Sequence, residues 1–372
     1  MTWQLSDTGW CLLSDNAFGG SLVLVSFGES HGPFVGVLIE GLPAGTPINE
    51  TEIYEWLRRR KPGTSVLSSA RQEEEKVEFI AGVYRGVATG APLVAVVKNT
   101  GGKDEFYEFM ENGWVRPGHA DYPAYIKYNG KNDYRGGGRF SARITVGFVI
   151  AGAIAASMIR NLGIEIAAYT RRIGSVECRQ LDFDEASQRY KFETRCPVEE
   201  YDAEMKKEIL AARRDGDSVG GVIEVIARGM PVGIGQPVFS SLDSELAKAF
   251  FSIPAVKGVE FGAGFMASQL RGSQNNDQFR ISGGKISTAT NNAGGVLGGM
   301  SSGAPLVARI AFKPVSSIYK VQKTVNVKTM QEGELQLKGM HDPCVVPRAV
   351  PIVEAVTAFT VADLAMRGGF IK

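Results

Sequence analysis

The chain has 372 residues, 44% of them apolar, with 41 Lys+Arg against 40 Asp+Glu, enough to bury a large core without metals or disulfides. A net charge of +1 argues against a dedicated nucleic-acid binder or a polybasic membrane binder, while leaving room for local basic clusters. No basic residue precedes Arg58, and Cys11, Cys178, Cys196 and Cys344 are widely spaced with no Cys-x-x-Cys pair, so no leader and no disulfide scaffold are expected and a cytoplasmic protein is.

Residues 1–15 show no clear periodicity and read as an extension; residues 16–372 read as one domain. The β-rich run 21–27 predicts a strand that stops at Gly28, and 35–40 predicts its partner across the polar loop Gly28-Glu29-Ser30-His31-Gly32-Pro33. Asn49 followed by Glu52 resembles a capping box, opening a short amphipathic helix that ends before Pro62-Gly63. Residues 77–83 and 93–97 predict strands, and 98–113 is polar and irregular. The loop Tyr134-Arg135-Gly136-Gly137-Gly138-Arg139 runs into a helix predicted over 140–162, apolar almost all round and therefore central. Its weakly polar run of 145–159 falls short of the roughly 20 apolar residues that a membrane span needs.

Further on, 199–214 predicts a surface helix with Met205, Ile209 and Leu210 inward. Residues 222–227, 259–265 and 306–312 predict strands, 242–251 predicts a helix, and 347–367 has an apolar helical pattern interrupted by Pro351. Residues 273–299 are polar and Gly-rich. No linker divides the chain, and mixed element order gives an α+β class. Each half carries a Gly-rich loop feeding apolar structure, without an established repeat.

The three histidines, His31, His119 and His341, all sit in polar loops flanked by Gly or Pro; they are either solvated loop residues or functional ones. Their spacing does not suit local metal-ligand pairs, and no Gly-x-Ser-x-Gly elbow supports a serine hydrolase. Arg58, Arg59, Arg60 and Lys61 form a cationic helix end, at least two of them complementing the helix dipole. Arg116, Arg139 and Arg143 flank a His loop or a Gly-rich turn before a helix, where free N–H groups and guanidinium forks suit an anion. That pattern implies a phosphate-bearing ligand. Neither a Walker loop nor a Rossmann fingerprint is present. A further Gly-rich stretch, 291–303, leads to Lys313-Pro314-Val315-Ser316-Ser317, one cation and two hydroxyls in a turn.

Taken together, FGESHG (27–32), RPGHADY (116–122), YRGGGRFSAR (134–143), IPAVKGVEFGAGF (253–265), 291–299 and HDPCVVPRA (341–349) resemble chorismate synthase from about Asn16 to the C-terminus. The resemblance implies a single-domain α+β fold, a β-α-β sandwich of sheets around central helices, assembled as a homotetramer. It implies the anti 1,4-elimination of phosphate from 5-enolpyruvylshikimate 3-phosphate, with reduced FMN and no net redox change. Whether the chain would reduce its own flavin with NADPH or rely on another reductant stays open. By similarity, His31 would assist the departing phosphate and His119 would stabilise the charged, reduced flavin. Asp342 would work with the flavin in removing the C6 proton. Ser30, Arg139, Phe140, Ser141, Ala255, Gly298, Lys313, Pro314, Val315, Ser316, Ser317 and Met340 fall at flavin-holding positions, and Arg60, Arg71, Arg116 and Arg143 at anion-holding ones.

Three residues depart from the family pattern: Met340 and Val66 stand where it has Arg, and Phe140 where it has Ser. Losing a guanidinium fork from a buried charge pair costs about 2 to 5 kcal/mol, so a non-enzymatic or substrate-altered flavin-binding homologue is the alternative. An RNA-binding module built on the Arg loops is disfavoured by the even charge balance and by the lack of an RNA-binding motif.

Overall fold

The computed structural model describes residues 15–61, 67, 75–100, 104–339 and 341–372; Val66, Arg71 and Met340, and all but the last residue of the extension predicted over 1–15, lie outside them. The chain opens with β1 (Ala17–Gly19), β2 (Val23–Gly28) and β3 (Phe34–Glu40), followed by helix α1 (Glu50–Arg60) and then β4 (Val77–Ala81) and β5 (Leu93–Lys98). These strands form one antiparallel sheet in the order β1-β2-β3-β5-β4. Alternation along β5 buries Leu93, Ala95 and Val97 on one face, as a half-covered sheet requires. Asn49 caps α1, accepting from the Glu52 N–H at 3.1 Å. The predicted capping box closes on one side only, because the Glu52 carboxylate turns to Arg160 at 2.5 Å.

Next come helix α2 (Thr145–Arg160), β6 (Glu165–Ile173), β7 (Val176–Glu177), helix α3 (Glu199–Arg214) and β8 (Gly221–Arg228). Helix α4 (Leu242–Phe251), β9 (Val256–Phe261), β10 (Leu306–Phe312) and helix α5 (Val346–Arg367) complete the main elements. The second antiparallel sheet has the order β9-β10-β8-β6-β7. Between the two sheets lie α2, against the first, and α5, against the second, so that one apolar core runs through all four layers. This is the expected β-α-β sandwich of the α+β class.

Several boundaries differ from the sequence expectation. The helix predicted from 140 starts at Thr145, because Ser141 takes the Arg143 N–H at 3.2 Å and starts a tighter turn instead. Pro351 does not interrupt α5: the helix starts at Val346, and the missing N–H removes one bond near its first turns. Leu210 is 37% exposed rather than inward, leaving Met205 and Ile209 to anchor α3. The strand expected over 259–265 runs earlier, ending at Phe261 where Gly262 turns with φ 55°. Within 273–299, Phe279–Ser282 and Lys285–Thr288 pair as a hairpin that polar composition had hidden.

The spans 142–160 and 346–367 are long and apolar enough to cross a membrane, yet they are largely buried between the sheets, where an all-round apolar helix also belongs. Two carboxylates inside α5 are tied one to each sheet. Glu354 accepts from the Ala168 N–H of β6 at 2.9 Å, from the Tyr190 hydroxyl at 2.6 Å and from Arg189 at 2.5 Å. Asp363 accepts from the N–H groups of Gly20, Ser21 and Leu22 at 3.1, 2.7 and 2.9 Å, just before β2.

Helices α2 and α5 touch at Gly152, where an added Cβ would lie 2.4 Å from both Cα and Cβ of Ala355. Gly→Ala inside a helix ordinarily stabilises by about 1 kcal/mol. Here the backbone of α5 blocks the methyl group, so Gly152→Ala is expected to destabilise by about 2 to 3 kcal/mol in denaturant unfolding, the usual range for overpacking; a stabilised variant would contradict this packing.

Candidate active site

The N-termini of α2 and α5 open onto the same cavity, of about 660 Å³, within the usual range for a small-molecule site. Thr145 from α2, Arg348 and Ala349 from α5, and Val345 just before α5 line it. Two helix dipoles thus present their positive ends to one space. Arg60, Arg116, Arg139, Arg143, Lys257, Lys313 and Arg348 also line it, against Asp342 alone among the described acidic residues. In a chain of net charge +1 this is a strong local excess of positive charge, suited to anionic ligands.

His119 sits in the wall, held by a charge network. Its Nδ1 lies 2.5 Å from Asp121 Oδ1, and Arg116 donates to both Asp121 oxygens at 2.7 Å in a bidentate pair. With Nδ1 donating to Asp121, Nε2 is the ring nitrogen left for a ligand. Burial lowers the His119 pKa, partly offset by its hydrogen bond to Asp121. For Asp121, burial alone would raise the pKa, but the hydrogen bonds from Arg116 and His119 outweigh it and hold the carboxyl well below its usual range. The third histidine, His341, lines the same cavity, and burial lowers its pKa as well.

His31 lies behind the Gly-rich loop rather than in the cavity lining. Its ring is 4% exposed, bonds Asp104 through Nδ1 at 2.7 Å and meets the ring of Tyr107, a cavity residue, edge-on at 5.2 Å. The His31 ring is thus buried and the His119 ring, 16% exposed, is half-buried; neither is a solvated loop residue. The loop explains the run of glycines: Gly136, Gly137 and Gly138 have φ of 60°, 85° and 52°, a region that favours glycine. A Cβ on Gly136 would lie 2.4 Å from His31 Cδ2, and one on Gly137 would lie 3.3 Å from His119 Nε2. This loop is the spacer between the two rings.

Most of the predicted flavin-holding residues gather here. Phe140, Ser141, Ala255 and Lys313 to Ser317 line the cavity, and the Lys313 N–H donates to the Ala255 carbonyl at 2.9 Å. Ala255 has φ 75°, an unusual value for a residue with a Cβ. The Lys313 ammonium donates to the Gly118 carbonyl, and Arg116 Nη1 reaches Ser317 Oγ at 3.4 Å. Arg139 spends its fork on β2, donating to the carbonyls of Ser26 and Gly28 at 3.1 and 3.0 Å. Ser30 is buried at the loop edge, and its Oγ has no hydrogen-bond partner among the described residues. Gly298 is not brought to the cavity; it turns the short hairpin between Val296–Leu297 and Met300–Ser301.

Of the predicted anion-holding residues, Arg60, Arg116 and Arg143 line the cavity. The sequence reading did not single out Arg348, Glu75, Asn99 or Tyr107. Arg348 pairs with Asp342 and lies within the quoted run HDPCVVPRA, six residues after that Asp, which is the available signal. Glu75 is one of three successive glutamates, and nothing in the pattern distinguishes it. A larger hollow of about 1050 Å³ adjoins, sharing Arg139, Phe140, Ile144 and Ser252. It lacks the histidines and Asp342, so the smaller cavity is the candidate site.

A family model for chorismate synthase matches residues 22–366. The chain belongs to the chorismate synthase family. It is 50% identical over 346 residues to a chorismate synthase of Pyrococcus abyssi, covering 93% of this chain and 96% of that one. The figures for one of Korarchaeum cryptofilum are 48% over 356 residues, 95% and 98%. A crystal structure of a chorismate synthase superposes with a TM-score of 0.74 at 30% identity, over 94% of this chain and 93% of that one. With its family, the chain is an enzyme, a carbon–oxygen lyase acting on phosphates. The non-enzymatic alternative is not favoured.

The buried histidines set a pH dependence. Because burial depresses the folded-state pKa of His119 and His341, the unfolded chain binds protons near its own value of about 6.5 before the folded one does. Stability is therefore complete above about pH 6.5 and falls as pH drops through the folded values. Denaturant unfolding is expected to show lower stability at about pH 5.5 than at about pH 7.5, and His119→Asn, which keeps the donor to Asp121, is expected to reduce that difference. An unchanged difference would remove His119 from the account.

Proposed function

We propose that the cavity binds 5-enolpyruvylshikimate 3-phosphate beside reduced FMN and eliminates phosphate in the anti 1,4 sense to give chorismate, within aromatic amino-acid biosynthesis. The observation that carries this reading is the convergence of two helix N-termini and an excess of guanidinium groups on a cavity holding His119 and Asp342. The residues present fit a flavin phosphate. Lys313, Ser316 and Ser317 form a polar edge, Ile253, Val256, Val345 and Ile352 an apolar wall, and the unpartnered Ser30 Oγ is a spare polar contact nearby. When bound, reduced FMN supplies electron density that eases scission of the carbon–oxygen bond without net redox change.

The protein's share is charge and placement. Arg60, Arg143 and the helix N-termini stabilise the dianion that leaves, charge–dipole help that is strongest where water is excluded. His31, held behind the loop by Asp104 and Tyr107, is the proton donor to the departing phosphate across Gly136, which touches its ring and lines the cavity. His119 presents Nε2 to the flavin and is neutral until an anion beside it favours protonation. Asp342, oriented by Arg348, is the acceptor for the C6 proton. The enzyme works in the cytoplasm as a homotetramer; exposed Phe265, Phe279, Ile281 and Ile286 supply apolar surface for such contacts.

Incubated anaerobically with chemically reduced FMN and 5-enolpyruvylshikimate 3-phosphate, the protein is expected to release phosphate and chorismate in equal amounts. His119→Ala and Asp342→Ala are each expected to lower kcat by about 10²- to 10⁴-fold, as for other proton-transfer groups. Bound flavin with neither product would overturn the reading, and strong turnover with Val66 and Met340 in place would dispose of the flavin-binding alternative.

A further inference from the structure

Behind the cavity wall, Arg60 and Arg143 share one buried carboxylate. Arg60 Nη2 and Arg143 Nη1, the latter at 2.5 Å, both donate to Oε1 of Glu75. All three side chains are more than nine-tenths buried, at 2%, 6% and 2% exposure for Arg60, Arg143 and Glu75. Both arginines line the cavity, while Glu75 does not. Among the described residues the ion cluster is incompletely satisfied: Glu75 Oε2 and Arg60 Nε are buried without hydrogen-bond partners. An unpaired buried donor on a cavity-lining guanidinium points to a ligand acceptor that would complete it. Among the described residues the two guanidinium groups share this one carboxylate, in surroundings where each charge counts for far more than in water.

This matters for an enzyme whose product is a phosphate dianion. A site built from two undiscounted guanidinium groups, helped by two helix N-termini, would hold inorganic phosphate after the reaction as firmly as it stabilises phosphate during it. Tight ground-state binding of that kind does not raise kcat. Glu75 withdraws one charge from behind, where no ligand displaces it, and fixes the aim of both forks. Arg143 is fixed further by Asn99 Oδ1 at 2.9 Å, and Arg60 by Thr145 Oγ1 at 3.5 Å. Arg348 reaches the same region, donating through Nε to the Arg60 carbonyl at 3.1 Å, but its own charge is matched by Asp342. We propose that Glu75 is a positioning residue that aims Arg60 and Arg143 and discounts their charge, so that phosphate is stabilised as it leaves and then released. The inference rests on the reading that these two arginines receive the phosphate.

The test uses the full chain and inorganic phosphate as the probe. In Glu75→Gln, which keeps the shape and removes the charge, phosphate is expected to inhibit at least about tenfold more tightly, with KM and kcat for turnover both falling. Apo stability is expected to drop, and the rise in Tm on adding phosphate to exceed that of the wild type. Glu75→Asp, which keeps the charge, is expected to stay near wild type in phosphate affinity. A purely architectural role would lower stability in Glu75→Gln with an unchanged phosphate increment and unchanged inhibition, and that result overturns the inference. If Glu75→Gln is insoluble in chloride, recovery in phosphate buffer supports it, whereas failure in both buffers while Glu75→Asp folds overturns it. A wild type that shows neither phosphate inhibition nor a Tm rise overturns the phosphate-site reading itself, and this inference with it.

Discussion

Helices α2 and α5 can lie side by side only because position 152 carries no side chain and the backbone of Ala355 fills that space. The contact fixes where both helices begin, and therefore where their positive ends meet. Gly147 repeats the device against the first sheet, where a Cβ would lie 2.8 Å from the Gly36 carbonyl oxygen. With the helices pinned by these approaches, Glu354 and Asp363 can each reach a sheet from inside an otherwise apolar helix. Buried carboxylates are tolerable there because each accepts several hydrogen bonds. The cavity at the helix starts is thus a by-product of close packing several turns away.

Charge at the cavity is arranged in depth. Facing the ligand space are guanidinium groups; behind them stand carboxylates, Asp121 behind Arg116, Glu75 behind Arg60 and Arg143, with Asp342 beside Arg348. Burying so many arginines without these partners would be prohibitive, since an isolated ion loses most of its hydration. The pairing has a second effect. An arginine held by a carboxylate at its back has fewer conformations to lose when a ligand arrives at its front, which favours preorganised stabilisation over induced rearrangement. Arg60 shows the tension most directly: burial lowers its pKa to about 10, still high enough to keep it charged at neutral pH.

How much of this could be read from the chain follows from the range of the interactions. Elements set by local periodicity were legible, such as the strand over 306–312, matched by β10, and the helix over 242–251, matched by α4. Elements whose limits depend on tertiary contacts were not. The start of α2 is set by Ser141, and Pro351 is carried by a helix packed on all sides. At the site, motif residues such as His119, Ser141 and Lys313 were legible because unusual residue types recur in short polar runs. Glu75 and Asn99 were not, since their roles arise from partners 15 to 70 positions away, such as Arg60, Arg143 and Glu29, and an acidic residue among glutamates carries no local mark. The even charge balance concealed the cationic cavity for the same reason: composition averages over positions that folding separates.

Asn99 shows how the parts become one unit. Its amide donates to the carbonyls of Glu29 and Gly32 at 2.9 and 2.7 Å, while its oxygen accepts from Arg143. The loop that carries His31 is therefore tied through a single side chain to an arginine of the anion site. The Gly-rich loop completes the tie from the other side, with the Ser30 N–H donating to the Gly138 carbonyl at 3.3 Å. On the proposed reading, in which His31 gives a proton to the phosphate that Arg143 binds, both gain from being held in one frame, because misplacing either by about 1 Å can cost about 10²-fold in rate. Glycine at 136, with no Cβ to strike the His31 ring, lets that frame close to hydrogen-bond range without pushing the histidine away. The cluster of glycines is in this sense a spacing element for two imidazoles, and its backbone conformation is what a side chain at any of the three positions would oppose.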